Sequence, residues 1–303
     1  MATSVLCRVQ SLRKDLFLSV SRCSVLLKNN YLVKSNETDE CSLEFLEGDN
    51  EGIAVISMNR PKAKNSLGKV FLSQFQGCIN NVKFEKNIRV LIIRSMVPGV
   101  FCAGADLKER AKMTNEEVGP FVAGLRQSVT DLSNIPMPTI AAIDGYALGG
   151  GLEMSLACDM RTASSNAKMG LVETKRGIIP GGGGTQRLTR VVGPALAKEL
   201  IYTARMFDGH EAAKLGVVNH SVDQNDAGDA AYQRAVELAL EITPNGPVAL
   251  RMAKMAISKG SDVDLTSGMG FEECGYAQVI PTKDRIEGMK SFIEKRTPVY
   301  KGE

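Results

Sequence analysis

Three glycine-rich segments constrain the fold of this chain more than any other feature of its sequence. They are residues 101–108 (FCAGADLK), 144–153 (DGYALGGGLE) and 177–187 (GIIPGGGGTQR), and each follows an apolar, strand-like segment. Glycine lets the backbone approach a neighbour or a ligand where a side chain would collide. None of the three has the Gly-Lys-Ser/Thr ending of a P-loop, and none fits the GxGxxG pattern after a first strand. They predict tight packing or a binding site made of backbone, and they disfavour nucleotide hydrolysis and dinucleotide binding.

Strands and helices alternate along the segments between these glycines. Apolar runs at 53–58, 89–94 and 139–143 predict buried strands, and residues 42–47 predict a further strand joined to the first run by the polar turn 48–52. A capping box from Thr114 to Glu117 predicts a helix running toward Asn134, and residues 151–157 predict another. Residues 66–82 have helical spacing, with one apolar face formed by Leu67, Val70, Phe71, Phe75 and Ile79. Recurring strand, strand and helix units predict an α/β body.

The pattern changes near residue 225. Residues 229–242, 247–258 and 272–294 have amphipathic helical spacing, and no convincing strand lies among them. We therefore predict a core that holds the active site over residues 37–225 and a helical, oligomer-forming region over residues 226–303.

Residues 1–36 differ in composition from the rest of the chain. They contain six basic residues, six serines and a single acidic residue, Asp15. This composition predicts a mitochondrial transit peptide, and a disordered basic tail is the alternative. Without this segment the chain has 31 basic and 33 acidic residues, a net charge of −2. The body of the protein therefore has no overall charge that favours nucleic acid.

Several kinds of chemistry are disfavoured by the remaining composition. The two histidines, His210 and His220, lie in stretches without other reactive groups, so a Ser-His-Asp triad or an HExxH zinc site is not indicated. The seven cysteines form no CxxC pair, which predicts free thiols in a reducing compartment. No apolar run approaches the roughly 18 to 20 residues of a membrane span. If the protein is an enzyme, its acid–base chemistry belongs to carboxylates.

Two glutamates are the candidates for this chemistry. Glu153 lies in the first turn of the helix that follows the glycines of the second segment, where free N–H groups can stabilise an oxyanion. An acidic residue near a helix N-terminus also has a purely structural explanation. Glu173 lies among apolar residues 20 positions later, and it is either a solvated loop residue or the partner of Glu153. As a pair, the two carboxylates can orient one water molecule and exchange its proton.

The ordered set of motifs resembles the crotonase (enoyl-CoA hydratase/isomerase) superfamily from about residue 43 to the end of the chain. The motifs are residues 59–63 (NRPKA), 101–106 (FCAGAD), 145–153 (GYALGGGLE), 157–159 (ACD), Glu173 and 180–188 (PGGGGTQRL). The resemblance implies a spiral of repeated ββα units with C-terminal helices that build homotrimers, which commonly pair into hexamers.

The resemblance also implies a set of functional residues. The backbone N–H groups of Ala103 and Gly150 would form the oxyanion hole for an acyl-CoA thioester, and Glu153 and Glu173 would be the catalytic acid and base. The coenzyme A chain would contact Lys62, Ala63, Ala103, Gly104, Ala105, Asp106 and Gly150. No metal or redox cofactor is implied, because coenzyme A is part of the substrate.

The presence of both glutamates favours a hydratase, since isomerases and hydrolases of the superfamily usually lack one or both. Residues 102–113, 228–232 and 280–285 resemble the branch containing the mitochondrial methylglutaconyl-CoA hydratases and enoyl-CoA hydratase domain-containing protein 2. This implies a matrix enzyme that converts 3-methylglutaconyl-CoA to 3-hydroxy-3-methylglutaryl-CoA in leucine degradation. A general short-chain enoyl-CoA hydratase of fatty acid metabolism is the alternative. The distal carboxylate of a methylglutaconyl group would need a cation or several hydrogen-bond donors in its pocket, and Arg176 or a residue of a neighbouring subunit are the candidates.

Two functions other than acyl-CoA chemistry stay open as alternatives. Relatives in this branch bind AU-rich RNA through a lysine-rich early helix, and the stretch here contains Lys62, Lys64, Lys69, Lys83, Lys86 and Arg89. Residues 65–81 are largely neutral apart from Lys69, so a solvated helix face with contacts to coenzyme A phosphates is the favoured explanation, and RNA binding is possible but not favoured. The other alternative is an inactive family member that acts only as an oligomeric scaffold, and the intact glutamates and glycines argue against it.

Overall fold

The computed structural model describes residues 39–303, which form two β-sheets covered by helices. The strands are β1 (Cys41–Phe45), β2 (Ile53–Met58), β3 (Val90–Ser95), β4 (Val100–Cys102), β5 (Thr139–Ile143), β6 (Tyr146–Leu148), β7 (Met160–Ser164), β8 (Lys168–Gly170), β9 (Phe207–Asp208) and β10 (His220–Val222). The helices are α1 (Lys69–Lys83), α2 (Leu107–Arg110), α3 (Asn115–Ser133), α4 (Gly150–Ala157), α5 (Gly184–Val192), α6 (Pro194–Thr203), α7 (Gly209–Lys214), α8 (Ala230–Ile242), α9 (Pro247–Gly260), α10 (Leu265–Val279) and α11 (Lys283–Glu294).

The chain alternates between the two sheets. One sheet has the order β1-β2-β3-β5-β7-β10, and the other has the order β4-β6-β8-β9. The pairs β3/β4, β5/β6 and β7/β8 each contribute one strand to each sheet before the chain enters a helix. Neighbouring strands from β2 to β10 in the first sheet are parallel, and only β1 is antiparallel. This arrangement confirms the predicted spiral of ββα units.

The strands β2, β3 and β5 are apolar without alternation because both faces of their sheet are covered. Ala54 and Ile56 of β2 point into the larger core, on the side of α1 and α4, whereas Ile53 and Val55 pack in a smaller core against α8. Helices on both faces of a largely parallel sheet bury every residue of such strands. The predicted strands at 53–58, 89–94 and 139–143 are all present.

Helix α1 differs from the sequence-based prediction at its start. It begins at Lys69 rather than residue 66, and Val70 points to solvent rather than into the apolar face. Leu67 precedes the helix in an extended conformation and pairs with Ala105 as an isolated parallel β-bridge. The predicted apolar face of α1 is therefore confirmed from Phe71 onward, whereas Leu67 and Val70 are not part of it.

Helix α4 is the central helix of the fold, and all eight of its residues are buried. A Cβ atom on Gly151 would lie 2.3 Å from the Cys102 carbonyl oxygen, so only glycine allows α4 to pack this closely against β4. The second glycine-rich segment is therefore both a packing element and, at Gly150, the start of a helix.

The C-terminal region from Ala230 contains the helices α8 to α11 and no strand, as predicted. The stretch 272–294 forms parts of two helices instead of one, because Pro281 cannot continue α10 and the Thr282 side chain caps α11 by accepting the Arg285 N–H at 3.2 Å. Helix α8 packs on β5 and β7 of the core. The proposed boundary at residue 225 stays a prediction, and the proposed transit peptide lies outside the described residues.

Two predictions about composition can be compared with residues 39–303. The cysteines in this part of the chain, at positions 41, 78, 102, 158 and 274, are free thiols. None of the helices described there is long and apolar enough to cross a membrane.

Candidate active site

Glu153 is a buried carboxylate in the middle of the protein. Its exposure is 1%, although it lies in the first turn of α4, where an acidic residue with a purely structural role would be solvated. Its Oε1 accepts hydrogen bonds from the N–H groups of Gly182 at 2.8 Å and Gly184 at 2.7 Å. The third glycine-rich segment (177–187) thus binds the carboxylate of Glu153, which ends the second segment (144–153).

Burial raises the pKa of Glu153, because a charged carboxylate loses its hydration in the protein interior. The N–H groups of Gly184 and Gly182 and the positive charges of Arg187 and Arg110 oppose this rise. Two backbone donors on one oxygen favour the ionised form. Glu153 therefore has the donors needed to exist as a carboxylate in spite of its burial.

Glu173 begins a 3₁₀ turn (Glu173–Arg176) and points toward the start of α4. A Cβ on Gly149 would lie 2.9 Å from Glu173 Oε1, and a Cβ on Gly150 would lie 3.9 Å from Glu153 Oε2. Gly149 also has a φ of 51°, a conformation that favours glycine. The adjacent glycines Gly149 and Gly150 each face one of the two carboxylates, so the structure brings Glu153 and Glu173 together.

The environment of Glu173 differs from that of Glu153. Its Oε2 is buried and has no hydrogen-bond partner within residues 39–303. Burial and the negative charge of Glu153 raise the pKa of Glu173 to about 7. Near neutral pH, Glu173 therefore holds a proton for much of the time, whereas the backbone donors favour ionised Glu153.

The structure contradicts the prediction that Ala103 is an oxyanion donor. The Ala103 N–H already donates a hydrogen bond to the Lys64 carbonyl oxygen at 3.0 Å. Lys64 and Asn65 have φ values of 53°, and this left-handed turn directs the Lys64 carbonyl toward Ala103. Ala103 is therefore a structural residue of the loop after β4.

Ala105 has the free N–H group instead. Leu67 donates to the Gly104 carbonyl at 2.8 Å and accepts from the Asp106 N–H at 3.3 Å, so the backbone groups on either side of Ala105 are used. In this parallel bridge the N–H of Ala105 itself points away from Leu67. A Cβ on Gly150 would lie 3.9 Å from the Ala105 nitrogen. Within the described part of the chain, neither the Ala105 nor the Gly150 N–H has an acceptor.

Asp106 was predicted to contact coenzyme A, but its side chain is used within the protein. It caps α2 by accepting the N–H groups of Lys108 at 3.0 Å and Glu109 at 3.1 Å, and it accepts Arg60 at 2.8 Å. Burial alone would raise the pKa of Asp106, but these bonds and the Arg60 charge hold it below its usual range. Asp106 therefore fixes the loop rather than offering a free carboxylate.

Arg60 is the residue that ties this loop to the rest of the site. Its guanidinium pairs with Glu40 at 2.7 Å, Asp106 at 2.8 Å and Glu109 at 3.4 Å. The carboxylate of Glu109 in turn accepts the Lys69 N–H at the start of α1 at 2.9 Å. This network links β1, α1 and α2 around Ala105.

The remaining predicted coenzyme A contacts lie next to this loop. Lys62 and Ala63 form a 3₁₀ turn (Pro61–Ala63), in which Lys62 is exposed and Ala63 is half-buried. Gly104 has a φ of 93°, and a Cβ there would lie 2.7 Å from the Leu148 carbonyl oxygen. The loop 103–106 and the start of α4 therefore pack backbone against backbone.

The basic stretch considered for RNA is only partly a solvated surface. Lys62, Lys64, Lys69, Lys83 and Lys86 are exposed. The guanidinium of Arg89 instead donates to the carbonyl oxygens of Thr243 at 3.3 Å, Asn245 at 3.2 Å and Tyr300 at 2.8 Å. Arg89 thus joins the start of β3 to the C-terminal helices and is not available to a phosphate.

The sequence did not identify three arginines of the site. Arg187 and Arg110 act on Glu153 through their charge, and Arg60 fixes the loop that contains Ala105. Arg60 lies in the 59–63 motif, but nothing in the sequence indicates that it pairs with Asp106 and Glu109. Arg187 ends the third glycine-rich segment and donates to the Gly182 carbonyl at 2.9 Å. Arg110 lies within residues 102–113, where no local pattern marks it as a site residue. No spacing rule links them to Glu153, because the fold brings them together from separate segments. Across residues 39–303, no cluster of three or more His, Cys, Asp or Glu residues is arranged to hold a metal ion.

The comparisons with known proteins agree with this geometry. The family model for enoyl-CoA hydratase/isomerase matches residues 48–303. The chain is 56% identical to human mitochondrial methylglutaconyl-CoA hydratase, covering 91% of this chain and 81% of that protein. It is also 56% identical to human mitochondrial enoyl-CoA hydratase domain-containing protein 2, covering 87% of this chain and 90% of the relative.

Among solved structures, the enoyl-CoA hydratase of Bacillus anthracis matches with a TM-score of 0.83 and 45% identity, covering 87% of this chain and 100% of that one. These matches confirm the resemblance to the superfamily, the narrower branch and the crotonase fold. Members of this family act on acyl-CoA thioesters and typically form oligomers. With its two facing glutamates, two free N–H groups and family match, the chain belongs to the enoyl-CoA hydratase/isomerase family and is an enzyme of the enoyl-CoA hydratase type.

Proposed function

We propose that this enzyme adds water across the 2,3 double bond of a short or branched enoyl-CoA. We further propose that the substrate is 3-methylglutaconyl-CoA and the product 3-hydroxy-3-methylglutaryl-CoA, formed in leucine degradation. The observation that carries the reaction type is the pair Glu153 and Glu173 with their unequal environments. The support for the substrate is the 56% identity to a relative named methylglutaconyl-CoA hydratase.

In the proposed reaction, Glu153 is the base and Glu173 the acid. Glu153 has two N–H donors that favour its ionised form, so it takes a proton from the water that attacks C3. Glu173, with a pKa near 7, delivers a proton to C2. The new C3–O and C2–H bonds replace the double bond, and a proton moves from Glu153 to Glu173 through solvent before the next turnover.

The thioester oxygen carries the negative charge of the enolate that forms between these two proton transfers. We assign its stabilisation to the N–H groups of Ala105 and Gly150. Removing one such donor typically costs about 2.7 to 4 kcal/mol of transition-state stabilisation. Backbone donors explain why glycines and a small alanine occupy these positions.

The proposed binding mode places coenzyme A along Lys62, Ala63 and the loop 103–106, with the exposed Lys62 available to phosphate. No cofactor is needed beyond the coenzyme A that the substrate carries, because carboxylates and backbone donors supply all the steps. We also propose a homotrimer or a hexamer in the mitochondrial matrix, with residues 1–36 as the transit peptide. The location is supported by the composition of that segment and by relatives named as mitochondrial.

The test compares kcat/KM of the purified full-length protein for 3-methylglutaconyl-CoA and crotonyl-CoA. We expect the dicarboxylic substrate to be preferred. Preference for crotonyl-CoA would indicate the alternative, a general short-chain hydratase. The RNA-binding alternative has no separate support: Arg89 is used inside the protein, and the exposed lysines of the stretch are equally what a solvated surface shows.

Glu153→Gln and Glu173→Gln should each lower kcat by about 10²- to 10⁴-fold, because each removes an acid–base group. Glu44→Gln, an exposed glutamate on β1, is the matched control and should retain activity. For the unaltered enzyme, kcat/KM for hydration should fall as the pH rises above about 7, where Glu173 loses its proton. Full activity in either active-site variant would exclude the proposed roles.

A further inference from the structure

Arg110, the last residue of α2, has a guanidinium without a partner. Within residues 39–303 it makes no hydrogen bond or salt bridge, and its Nε is buried without an acceptor. Its guanidinium carbon lies 5.5 Å from the centroid of the Phe121 ring. A buried guanidinium donor without an acceptor is unusual, because desolvation of a charged group is costly.

This guanidinium lies on the side of the site where Glu153 is held. Phe121, beneath Arg110, is followed in α3 by Val122, and a Cβ on Gly181 would lie 2.9 Å from a Val122 methyl group. The next residue, Gly182, donates its N–H to Glu153. The positive charge of Arg110 also acts on both Glu153 and Glu173. Arg110 is therefore close to the reacting groups without being paired to either carboxylate.

The other arginines around the site are either committed to the protein or exposed. Arg187 donates to the Gly182 carbonyl at 2.9 Å, and Arg126 donates to the Gly181 carbonyl at 2.9 Å. Arg60 is paired with carboxylates. Arg176 acts on Glu173 electrostatically, but it is exposed to solvent. Arg110 combines a buried donor with the absence of any protein acceptor.

Arg110 and the proposed oxyanion donor Ala105 belong to one continuous segment. Asp106 caps the helix that starts after Ala105, and its carbonyl accepts the Arg110 N–H at 2.9 Å. A single turn of helix therefore fixes the Arg110 backbone relative to the N–H that would hold the thioester oxygen. A substrate held by its thioester at Ala105 would therefore have Arg110 at a position fixed by the same segment.

We propose that Arg110 binds the distal carboxylate of a dicarboxylic enoyl-CoA and thereby makes the enzyme selective for such substrates. This inference rests on the proposed function and names the residue that recognises the second carboxylate. The planar guanidinium presents several N–H donors that match a carboxylate in a two-point contact. The Phe121 ring supports the plane of the guanidinium, and the substrate supplies the acceptor that the protein does not.

The first arm of the test measures the ratio of kcat/KM for 3-methylglutaconyl-CoA to that for crotonyl-CoA. Arg110→Met keeps a long side chain on Phe121 and should lower this ratio by about 10- to 100-fold, because hydrogen bonds to a charged group are lost. Arg110→Lys, which keeps the charge but not the two-point geometry, should give an intermediate ratio. Arg176→Met removes a charge near Glu173 from an exposed position, and it should leave the ratio unchanged.

The second arm measures binding without turnover. Glutaryl-CoA and butyryl-CoA have no double bond to hydrate, so their dissociation constants can be measured by calorimetry on the full-length chain. Arg110→Met should weaken glutaryl-CoA about 10- to 100-fold more than butyryl-CoA.

The two arms separate the two proposals. If the unaltered enzyme hydrates neither substrate but Arg110→Met selectively loses glutaryl-CoA, hydration is wrong and the carboxylate site stands. Arg176→Met is the control in both arms. If hydration occurs and neither ratio changes in Arg110→Met, or if Arg176→Met changes both ratios as much as Arg110→Met does, the assignment of Arg110 is wrong.

Discussion

At the residue scale, Glu153 and Glu173 have the same side chain, but backbone donors favour different protonation states in the two. Glu153 Oε1 accepts two N–H groups, whereas Glu173 Oε2 is buried without a partner in the described part of the chain. The carboxylate with the unpartnered oxygen is the one whose pKa is raised to about 7, by burial and by the charge of Glu153. The glycines of the third segment thus favour the ionised form of one glutamate, and its charge helps to keep a proton on the other.

The raised pKa of Glu173 also predicts an effect on stability. Because its pKa is higher in the folded protein than in the unfolded chain, ionisation costs folding free energy, and the cost develops as pH rises from about 4.5 to about 7. Glu173→Gln removes this cost. We expect the variant to be more stable at pH 8 by about 1 to 3 kcal/mol, and the difference to disappear toward pH 4.

Urea unfolding of both proteins at several pH values measures this difference. A constant difference across the pH range would show that it does not come from ionisation of Glu173.

At the element scale, the position of α4 depends on a close contact with β4. Gly151 lies where any Cβ would be 2.3 Å from the Cys102 carbonyl, and this contact sets Gly150 beside Ala105. The N–H groups of Ala105 and Gly150 therefore lie side by side only because α4 packs directly on β4, with no side chain at Gly151 between them. Packing and the proposed chemistry share the same glycines.

Gly151→Ala should therefore lower the free energy of unfolding by about 2 to 3 kcal/mol or more, because α4 must move away from β4. Gly124→Ala is the matched control. Gly124 is a solvent-exposed residue in the middle of α3, and no atom lies within 4 Å of an added Cβ. That variant should be stabilised by up to about 1 kcal/mol through helix propensity. Chemical denaturation compares the two, and equal effects would contradict the packing argument.

At the scale of the whole molecule, the C-terminal helices of the single chain expose several large apolar side chains to solvent. Leu265, Phe292 and Ile293 are 81%, 85% and 79% exposed. Large exposed apolar groups of this kind mark interaction surfaces. In a family that typically oligomerises, we expect this surface to be covered by other copies of the chain.

Phe292→Glu should therefore shift the protein to a smaller assembly, because a charge would be buried at the contact. Lys290→Glu, on the same helix and exposed, is the control and should leave the assembly intact. Light scattering after size-exclusion chromatography measures the mass of each. An unchanged mass for Phe292→Glu would place the contact elsewhere.

The sequence by itself determined the α/β class, the buried strands, the helical C-terminal region and the family. These follow from local patterns, such as continuous apolar runs, the capping box at Thr114 and the spacing of the glycine motifs. It also identified Glu153 and Glu173, because each lies in a recognisable motif. Their sequence neighbours could not reveal that one carboxylate has two backbone donors and the other has an oxygen with none.

Only the tertiary structure decided which N–H groups are free. Ala103 and Ala105 lie two residues apart in one motif, and the hydrogen bond to the Lys64 carbonyl and the bridge to Leu67 separate their roles. It also brought Arg110 and Arg187 near Glu153 and paired Arg60 with Asp106, although these residues come from separate segments of the chain. A hydrogen bond or a charge acts through space, so whether a group is satisfied depends on what the fold places beside it.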